Sequence, residues 1–478
     1  MTGTVRNVFL LSADSLRADV LPARTAELAE TVGGVNFTTA YATANATAHS
    51  MPALTAGIYR DSIEERFGEH VVTLAERLSE SEFACSLWAD NKIVGPERGY
   101  DRGFPEAESR NGDGGLGQVG REYFTELGSE RFFEWAQWLY FNLVKPVEER
   151  VTSSSGYYMS AGEHNAAVLE HLESGAGDQF HWVHYMDTHH PFEPPKEYMT
   201  SRELHTPRNR HQLSGLSSKA IISNKGKGVT DEDIEDIRQA YLASSEYWYD
   251  AVSEFVEELM ARGHYDPDRD VMVITSDHGE TFDVEKHEML GHTPTPAFWE
   301  ELVRVPLIVN VPDWPRTTVD GQVSLIDVVP TVAWHATGTT LESTEGRAVE
   351  SPEEMVRECV YFGAKGPELL HRGVKRDDGW KLFSDRIRTS DVNEFTTDEA
   401  DHNETRVILS RVVDGTDEVE FVRPLGSSDR PSGRPGRVWE ELMDDLERNR
   451  GPLTSSHEEE LSEEVREQLK ELGYVDDI

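Results

Sequence analysis

The stretch Val271-Met-Val-Ile-Thr-Ser-Asp277-His278-Gly279-Glu280 constrains this chain more than any other. Its apolar, largely β-branched beginning reads as a strand buried on both faces, as in a sheet covered by helices. The strand runs straight into Asp-His-Gly-Glu, and ligands of open α/β sheets gather just beyond the carboxyl ends of strands. A carboxylate and an imidazole at such an end can reach one cation together, Asp277 through oxygen and His278 through nitrogen. The plain alternative is a solvated turn with a glycine bend.

Other segments repeat the pattern. Val5 to Ser12 reads as a buried strand leading to Asp14-Ser15-Leu16-Arg17, so Asp14 is set up as Asp277 is; the alternative is a helix N-cap. Phe83 to Asp90 leads to Asn91-Lys92, where the ammonium either neutralises a substrate anion or is simply solvated. Phe180 to Asp187 gives way to Thr188-His189-His190-Pro191, where the proline ends the strand and leaves two histidines at its tip. Gly291-His292 follows the central strand. Thr43-Ala-Asn-Ala-Thr47-Ala-His49-Ser50 is a small, hydroxyl-rich loop opening into a helix. The free N–H groups of such a helix start suit an oxyanion. A Thr or Ser there becomes a nucleophile if a bound cation lowers the cost of ionising it, and is otherwise a cap.

Strand and helix alternate at βαβ spacing through residues 5–335, which predicts an α/β fold with a mostly parallel sheet sandwiched by helices. After about residue 340 the strands shorten, at Cys359-Val-Tyr-Phe, Trp380-Lys-Leu-Phe, Arg406-Val-Ile-Leu and Glu418-Val-Glu-Phe. The expected organisation is a catalytic domain over 1–340, a small antiparallel-sheet subdomain over 341–425 and an acidic helical tail over 426–478. The aromatic run at 132–144 is expected to pack in the core, or else to serve as a lid or partner surface.

Charge narrows the partners. The chain carries 46 basic against 89 acidic residues, a net charge of −43. That excess opposes binding to nucleic acid or an anionic membrane. Spread along the whole chain, it matches proteins that work at high salt, where screening relieves self-repulsion. A basic island at 202–227, with Arg208 and Arg210, is expected either to hold an anionic substrate or to be a mobile surface loop. Two distant cysteines, Cys85 and Cys359, offer no disulfide framework. No apolar run approaches the ~20 residues of a membrane span, and the start lacks a signal-type pattern, so the cytoplasm is the expected compartment.

Taken together, and in this order, these segments resemble the sulfatase family of the alkaline-phosphatase superfamily. Ser-Ala-Asp14-Ser-Leu-Arg17-Ala-Asp19 looks like that family's opening metal motif. Pro52-Ala-Leu-Thr-Ala-Gly57 looks like the end of its nucleophile loop, and Val183-His-Tyr-Met-Asp-Thr-His189-His-Pro191-Phe and Thr275-Ser-Asp277-His278-Gly-Glu like its later signatures. The resemblance implies one divalent cation, Ca, Mg or Mn ahead of Zn, held by Asp14, Asp277 and His278 with Thr47 as a further ligand. It places His189 and His292 against the ester anion or leaving group, with Lys92 assisting. The implied activity is cleavage of a sulfate or phosphate ester of an anionic small molecule or glycan. The chain departs from the pattern at the nucleophile: family sulfatases mature a Cys or Ser to formylglycine, whereas alignment on Gly57 puts Thr47 there. Thr resembles the phosphodiesterase and phosphoglycerol-transferase branches, and Ser50 is the competing hydroxyl. A catalytically inactive anion-binding relative is the rival class. Retention of Asp14, Asp277, His278 and His292 argues against it, because buried charge is costly without a cation.

Overall fold

The structure, a computed structural model, describes residues 5–108, 157–223, 229–389 and 402–456, apart from short breaks at 65, 97, 176, 288–289, 293–295 and 367–368. The aromatic run at 132–144 and the last expected helix lie outside these residues.

The buried runs form a first sheet of eight strands. In chain order they are β1 (Asn7–Ala13), β2 (Val35–Tyr41), β3 (Ala84–Ala89), β4 (Glu106–Glu108), β5 (Gln179–Tyr185), β6 (Val271–Ser276), β7 (Arg304–Asn310) and β8 (Thr318–Ser324). Their order across the sheet is β4-β3-β5-β1-β6-β7-β2-β8. Only β7 runs against its neighbours; the other pairings are parallel. A mostly parallel sheet needs cover on both faces, and successive residues of β1 supply it. Val8 and Leu10 enter one apolar cluster, with Trp182 and Val273. Phe9 and Leu11 enter the other, with Val183, Trp248 and Phe255.

The long helix that carries Trp248 and Phe255 spans Asp231–Ala261. It begins where the sequence marks it: the Thr230 hydroxyl accepts from the Asp233 N–H, and the Asp233 carboxylate accepts in return from the Thr230 N–H. Three acids in its first turn complement the helix dipole.

Beyond residue 340 a second, wholly antiparallel sheet forms from β9 (Cys359–Lys365), β10 (Leu369–Arg376), β11 (Trp380–Thr389), β12 (His402–Val413), β13 (Thr416–Pro424) and β14 (Thr454–Ser456). One face packs Phe362, Phe383 and Ile408 on Tyr41, Phe298 and Trp299 of the first unit. The other face receives Val438, Trp439, Leu442 and Leu446 of the helix Gly433–Arg450. That helix and β14 belong structurally to the second sheet, so the stretch expected as a tail from 426 contributes to this unit at least to residue 456. Among the described residues no helix is long and apolar enough to cross a membrane.

Candidate active site

Because β1, β3, β5 and β6 point the same way and lie side by side, the residues following them emerge at one edge of the sheet. Asp14 follows β1, Asn91 follows β3, His189 and His190 follow β5, and Asp277 and His278 follow β6. The loop after β2 delivers Thr47 as the first residue of the helix Thr47–Ala56, whose N-cap, Ala46, has no capping side chain. The first N–H groups of a helix have no i−4 partner; here the third, that of His49, donates to the Ala46 carbonyl at 2.8 Å.

Four of the expected groups meet there, fully or almost fully buried. The Thr47 hydroxyl donates to Asp14 Oδ2 at 3.2 Å and lies 3.2 Å from His278 Nε2. His278 Nε2 is 3.5 Å from Asp14 Oδ1 and 3.6 Å from Asp277 Oδ2. His278 Nδ1 is 2.8 Å from the Gly279 carbonyl, which an N–H must meet, so Nε2 presents its lone pair to the carboxylates. Ser50, the competing hydroxyl, donates back to Ala46 O of its own helix at 3.1 Å. Lys92 opens a one-turn helix at Lys92–Val94, and its side chain lies outside the described residues.

Two buried carboxylates face each other here, and on one of them a single oxygen is left without a partner among the described residues. Asp277 Oδ1 accepts from the backbone N–H of Ser15 and of His278, at 3.2 and 2.8 Å. Asp277 Oδ2 has no hydrogen-bond partner among the described residues. Burial, then the charge of Asp14, pushes Asp277 well above the usual carboxylate range. Burial opposes ionisation of Asp14 as well, but His189, His184 and His278 hold it well below that range. Burial and the neighbouring His292 bring His278 down to about 3, leaving a neutral imidazole. An orphaned carboxylate oxygen, a second carboxylate and a neutral imidazole nitrogen are the donor set a divalent cation takes.

Four neighbours were not singled out from sequence. His184, the penultimate residue of β5, reaches Asp14 Oδ2 through Nε2 at 3.3 Å. Its Nδ1 lies 3.0 Å from the Ser12 hydroxyl, which accepts from the Trp182 indole at 2.9 Å. Asn91 Nδ2 donates to Asp14 Oδ2 at 3.0 Å. Ser15 has φ 69°, a conformation that L side chains rarely adopt. It is pinned by Tyr241, whose hydroxyl donates to the Ser15 carbonyl at 2.9 Å, and its own hydroxyl donates to Asp14 Oδ1 at 3.0 Å. Glu280, fully buried and pushed up to about 7 by burial, lies 3.2 Å from His292 Nδ1 through Oε2.

His189 and His292 form a second wall, with ring centroids 4.9 Å apart, and His292 stands 4.5 Å from His278. The described arginines of the basic island face acids instead. Arg208 is paired with Asp233 and Asp236, Arg210 Nη2 lies 3.7 Å from Glu193, and Arg202 donates to Glu246 at 2.7 Å. The expectation that this island recruits an anion is corrected: Arg208 anchors the segment to the helix Asp231–Ala261.

A family model described as Sulfatase matches residues 6–339. The chain belongs to the sulfatase family. A curated relative of this sulfatase-family chain, the uncharacterized sulfatase YidJ of Escherichia coli (strain K12), is 24% identical over 224 residues, 45% of this chain and 42% of that protein. The match thus spans less than half of the relative's length. Among solved structures, the phosphonate monoester hydrolase SpPMH from Silicibacter pomeroyi superposes with a TM-score of 0.63 at 17% identity, covering 93% of this chain and 96% of that one. The phosphonate monoester hydrolase of Agrobacterium radiobacter gives 0.59 at 17% identity, over 85% and 89%. These likenesses establish an alkaline-phosphatase-like fold.

Proposed function

We propose that this member of the sulfatase family is a metal-dependent hydrolase that cleaves a sulfate or phosphate ester through Thr47. The observation that carries the reading is the position of the Thr47 hydroxyl, 3.2 Å from both Asp14 Oδ2 and His278 Nε2, beside a carboxylate oxygen that has no hydrogen-bond partner among the described residues. Asp14, Asp277 and His278 would hold one divalent cation with Thr47 as a further ligand, and His184 and Asn91 would orient Asp14. When bound, the cation lowers the cost of ionising the threonine hydroxyl and offsets the two carboxylates.

Thr47 is the nucleophile in this reading: its oxygen bonds to sulfur or phosphorus as the bond to the departing ester oxygen breaks, its proton ends on that departing oxygen, and water then cleaves the Thr47 ester to release the free anion and restore the hydroxyl. The start of the helix Thr47–Ala56 directs backbone N–H groups toward the charge that develops on the remaining oxygens. His189 and His292 contact the ester anion or leaving group from the opposite wall, and Lys92 assists. The substrate class is an anionic small molecule or glycan ester. Threonine in place of a maturable Cys or Ser favours phosphorus, and the names of the two structural neighbours add phosphonate monoesters to the candidates. We further propose residues 1–340 as the catalytic unit, the cytoplasm as its compartment and high salt as its working condition.

The test is a panel of aryl sulfate, phosphate monoester, phosphate diester and phosphonate monoester substrates at molar salt with Mg, Mn, Ca or Zn. Turnover of one class that disappears with chelator and with Thr47→Ala, and survives Ser50→Ala, supports the assignment. Turnover that survives Thr47→Ala removes it.

A further inference from the structure

The segment that leads into the helix Ala161–Ser174 passes the carboxyl ends of two strands and is tied down on the way. The Tyr157 N–H donates to Glu193 Oε2 at 2.8 Å, the Met159 N–H to Asp90 Oδ2 at 3.0 Å and the Ala161 N–H to Asp187 Oδ1 at 3.1 Å. Asp90 follows β3 and Asp187 follows β5, the strands whose ends supply Asn91 and His189 to the site. Glu193 is fixed in turn, its Oε1 accepting from the Ser214 hydroxyl at 2.7 Å. Bonds from backbone N–H groups to carboxylates are charge-assisted and strong. Three of them hold one short segment, and with it two consecutive tyrosines.

These tyrosines extend a run of rings that begins at the nucleophile. The Thr47 hydroxyl lies 3.2 Å from His278 Nε2. From His278 the centroid spacings are 4.5 Å to His292 and 4.9 Å onward to His189. Tyr158 then meets His189 edge to face at 5.9 Å, and Tyr157 meets Tyr158 in the same manner at 4.8 Å. His189 offers them a fixed surface, because its Nδ1 lies 2.5 Å from the His190 carbonyl and its ring stacks on that of His190. Burial falls along the run: His278 is fully buried, His189 is half-buried and Tyr157 is 38% exposed. Among the described residues, neither tyrosine belongs to an apolar cluster, so filling the core does not account for their rings.

We infer that Tyr157 and Tyr158 form a subsite for the leaving group, selecting an alcohol built on a ring with a flat apolar face, aryl or pyranose. This deepens the proposed function and rests on it for the position of the ester. With sulfur or phosphorus beside Thr47 and His189 against the departing oxygen, the next atoms of the leaving group come to Tyr158. Aromatic faces and edges attract a second ring beyond the area they bury, which makes each tyrosine worth about 2- to 12-fold in affinity. An open-chain alcohol forgoes that gain.

Affinities for matched ligands test this apart from turnover. Full-length protein loaded with Mn2+ is titrated calorimetrically at molar salt with benzylphosphonate against ethylphosphonate, and with the corresponding sulfonates. In each, a CH2 group replaces the ester oxygen and nothing is cleaved. The pyranose arm compares glucose 6-phosphate with sorbitol 6-phosphate in the Thr47→Ala background. In at least one pair the ring-bearing ligand should bind about 5-fold tighter or more. Tyr157→Leu and Tyr158→Leu should each cut that ratio by about 2- to 12-fold, and Tyr158→Phe should keep it. A ratio confined to the benzyl ligands assigns an aryl alcohol, and one confined to the sugar pair assigns a pyranose. Equal affinities within every pair, or a ratio that both leucine variants leave intact, overturn the subsite while the anion site stands. Absence of binding by every ligand overturns both. Turnover that survives Thr47→Ala removes the nucleophile and leaves a ring preference standing. Circular dichroism identifies a variant that fails to fold, and Tyr157→Leu, at the exposed position, then carries the test.

Discussion

Asp277→Asn separates a metal ligand from a structural acid. The substitution keeps the shape, and an amide oxygen can still accept from the Ser15 and His278 N–H groups that now meet Oδ1. What it removes is a charge facing Asp14 that no donor offsets on the other oxygen. The metal-free variant should therefore be at least as stable as the metal-free parent. Bound cation tells the opposite story. At a free concentration of 100 Kd it stabilises the folded parent by about 2.7 kcal/mol, roughly 3 °C in Tm at an unfolding entropy of ~2.1 cal/mol/K per residue over 478 residues. Unit charges at 4 Å interact by about 4 kcal/mol at an effective dielectric of ~20, so losing the carboxylate weakens binding by at least ~100-fold. The cation-induced shift should then fall below ~1 °C. Thermal unfolding of both proteins, with chelator and with a series of divalent ions, reads this directly.

The pH dependence carries the same sign. Burial and Asp14 raise the folded pKa of Asp277 above its unfolded value, so this residue's contribution to metal-free stability is greatest at low pH. That contribution is lost as pH rises from the ordinary carboxylate value through the raised one. Binding requires the ionised form, so the metal increment grows across the same window. Asp277→Asn should flatten both curves. An undiminished metal shift in the variant would refute the assignment of Asp277 as a ligand, and a large loss of metal-free stability would make it a structural acid instead.

Four further outcomes follow from the geometry. Thr47→Ala should lower kcat at least ~10³-fold toward any substrate in the panel, with Ser50→Ala within a few-fold, because the Thr47 hydroxyl touches both Asp14 and His278 whereas that of Ser50 turns back to Ala46 O. Arg208→Glu should cost about 3–5 kcal/mol in denaturant unfolding, since it takes the cation from fully buried Asp236, leaves it only the His205 and Thr206 N–H groups and sets a like charge beside it, while leaving KM unchanged. Asp61→Asn should cost a similar ~3–5 kcal/mol, because Asp61 accepts from Arg372 of the second sheet at 2.5 Å and from Arg450 at 2.6 Å, so its loss leaves the shielded Arg372 guanidinium without a carboxylate and Arg450 with Glu345 as its remaining one. With a net charge of −43, Tm should rise between 0.1 and 2 M NaCl, as the Debye length falls from ~10 Å to below ~3 Å; a flat profile would remove the high-salt reading.

Much of the fold is legible because its strands are written in apolar, β-branched residues. Val271–Ser276 and Arg304–Asn310 stand out for that reason. Strands that deviate from that code are harder to see. The strand Val35–Tyr41 is broken by register irregularities on both sides, near Thr38 and Thr39. Leu369–Arg376 carries His371, Arg372 and Lys375, all buried, and so reads as polar surface. Arg372 is buried because Asp61 and the Pro452 carbonyl meet its guanidinium, and Lys375 because Gln322 accepts from its ammonium at 2.9 Å. The partners are more than 50 residues away in sequence, beyond what local pattern carries. Arg208 misled for the same reason, since a count of charges along the chain cannot register Asp233 and Asp236 meeting it from a helix.

At the site, the dividing line is the order of strands. Asp14, Asp277 and His278 follow directly on buried runs, so their place at the sheet edge needs only the direction of each strand. Placing His184 requires knowing that β5 lies next to β1, pairing Ser12 with His184, while β6 flanks β1 on its other side. Nothing local to Gln179–Tyr185 states that order. Without it, an alternating strand with two histidines gives no reason to prefer His184, which meets Asp14, over His181, which stacks on Phe9 on the opposite face. Glu280 depends further on where the loop after β6 folds back, because it lies against His292 only when Gly279 passes close to the Glu301 carbonyl. A Cβ on Gly279 would stand 2.1 Å from that oxygen. The glycine of Asp-His-Gly-Glu is thus the residue that turns a strand-end motif into two adjoining clusters.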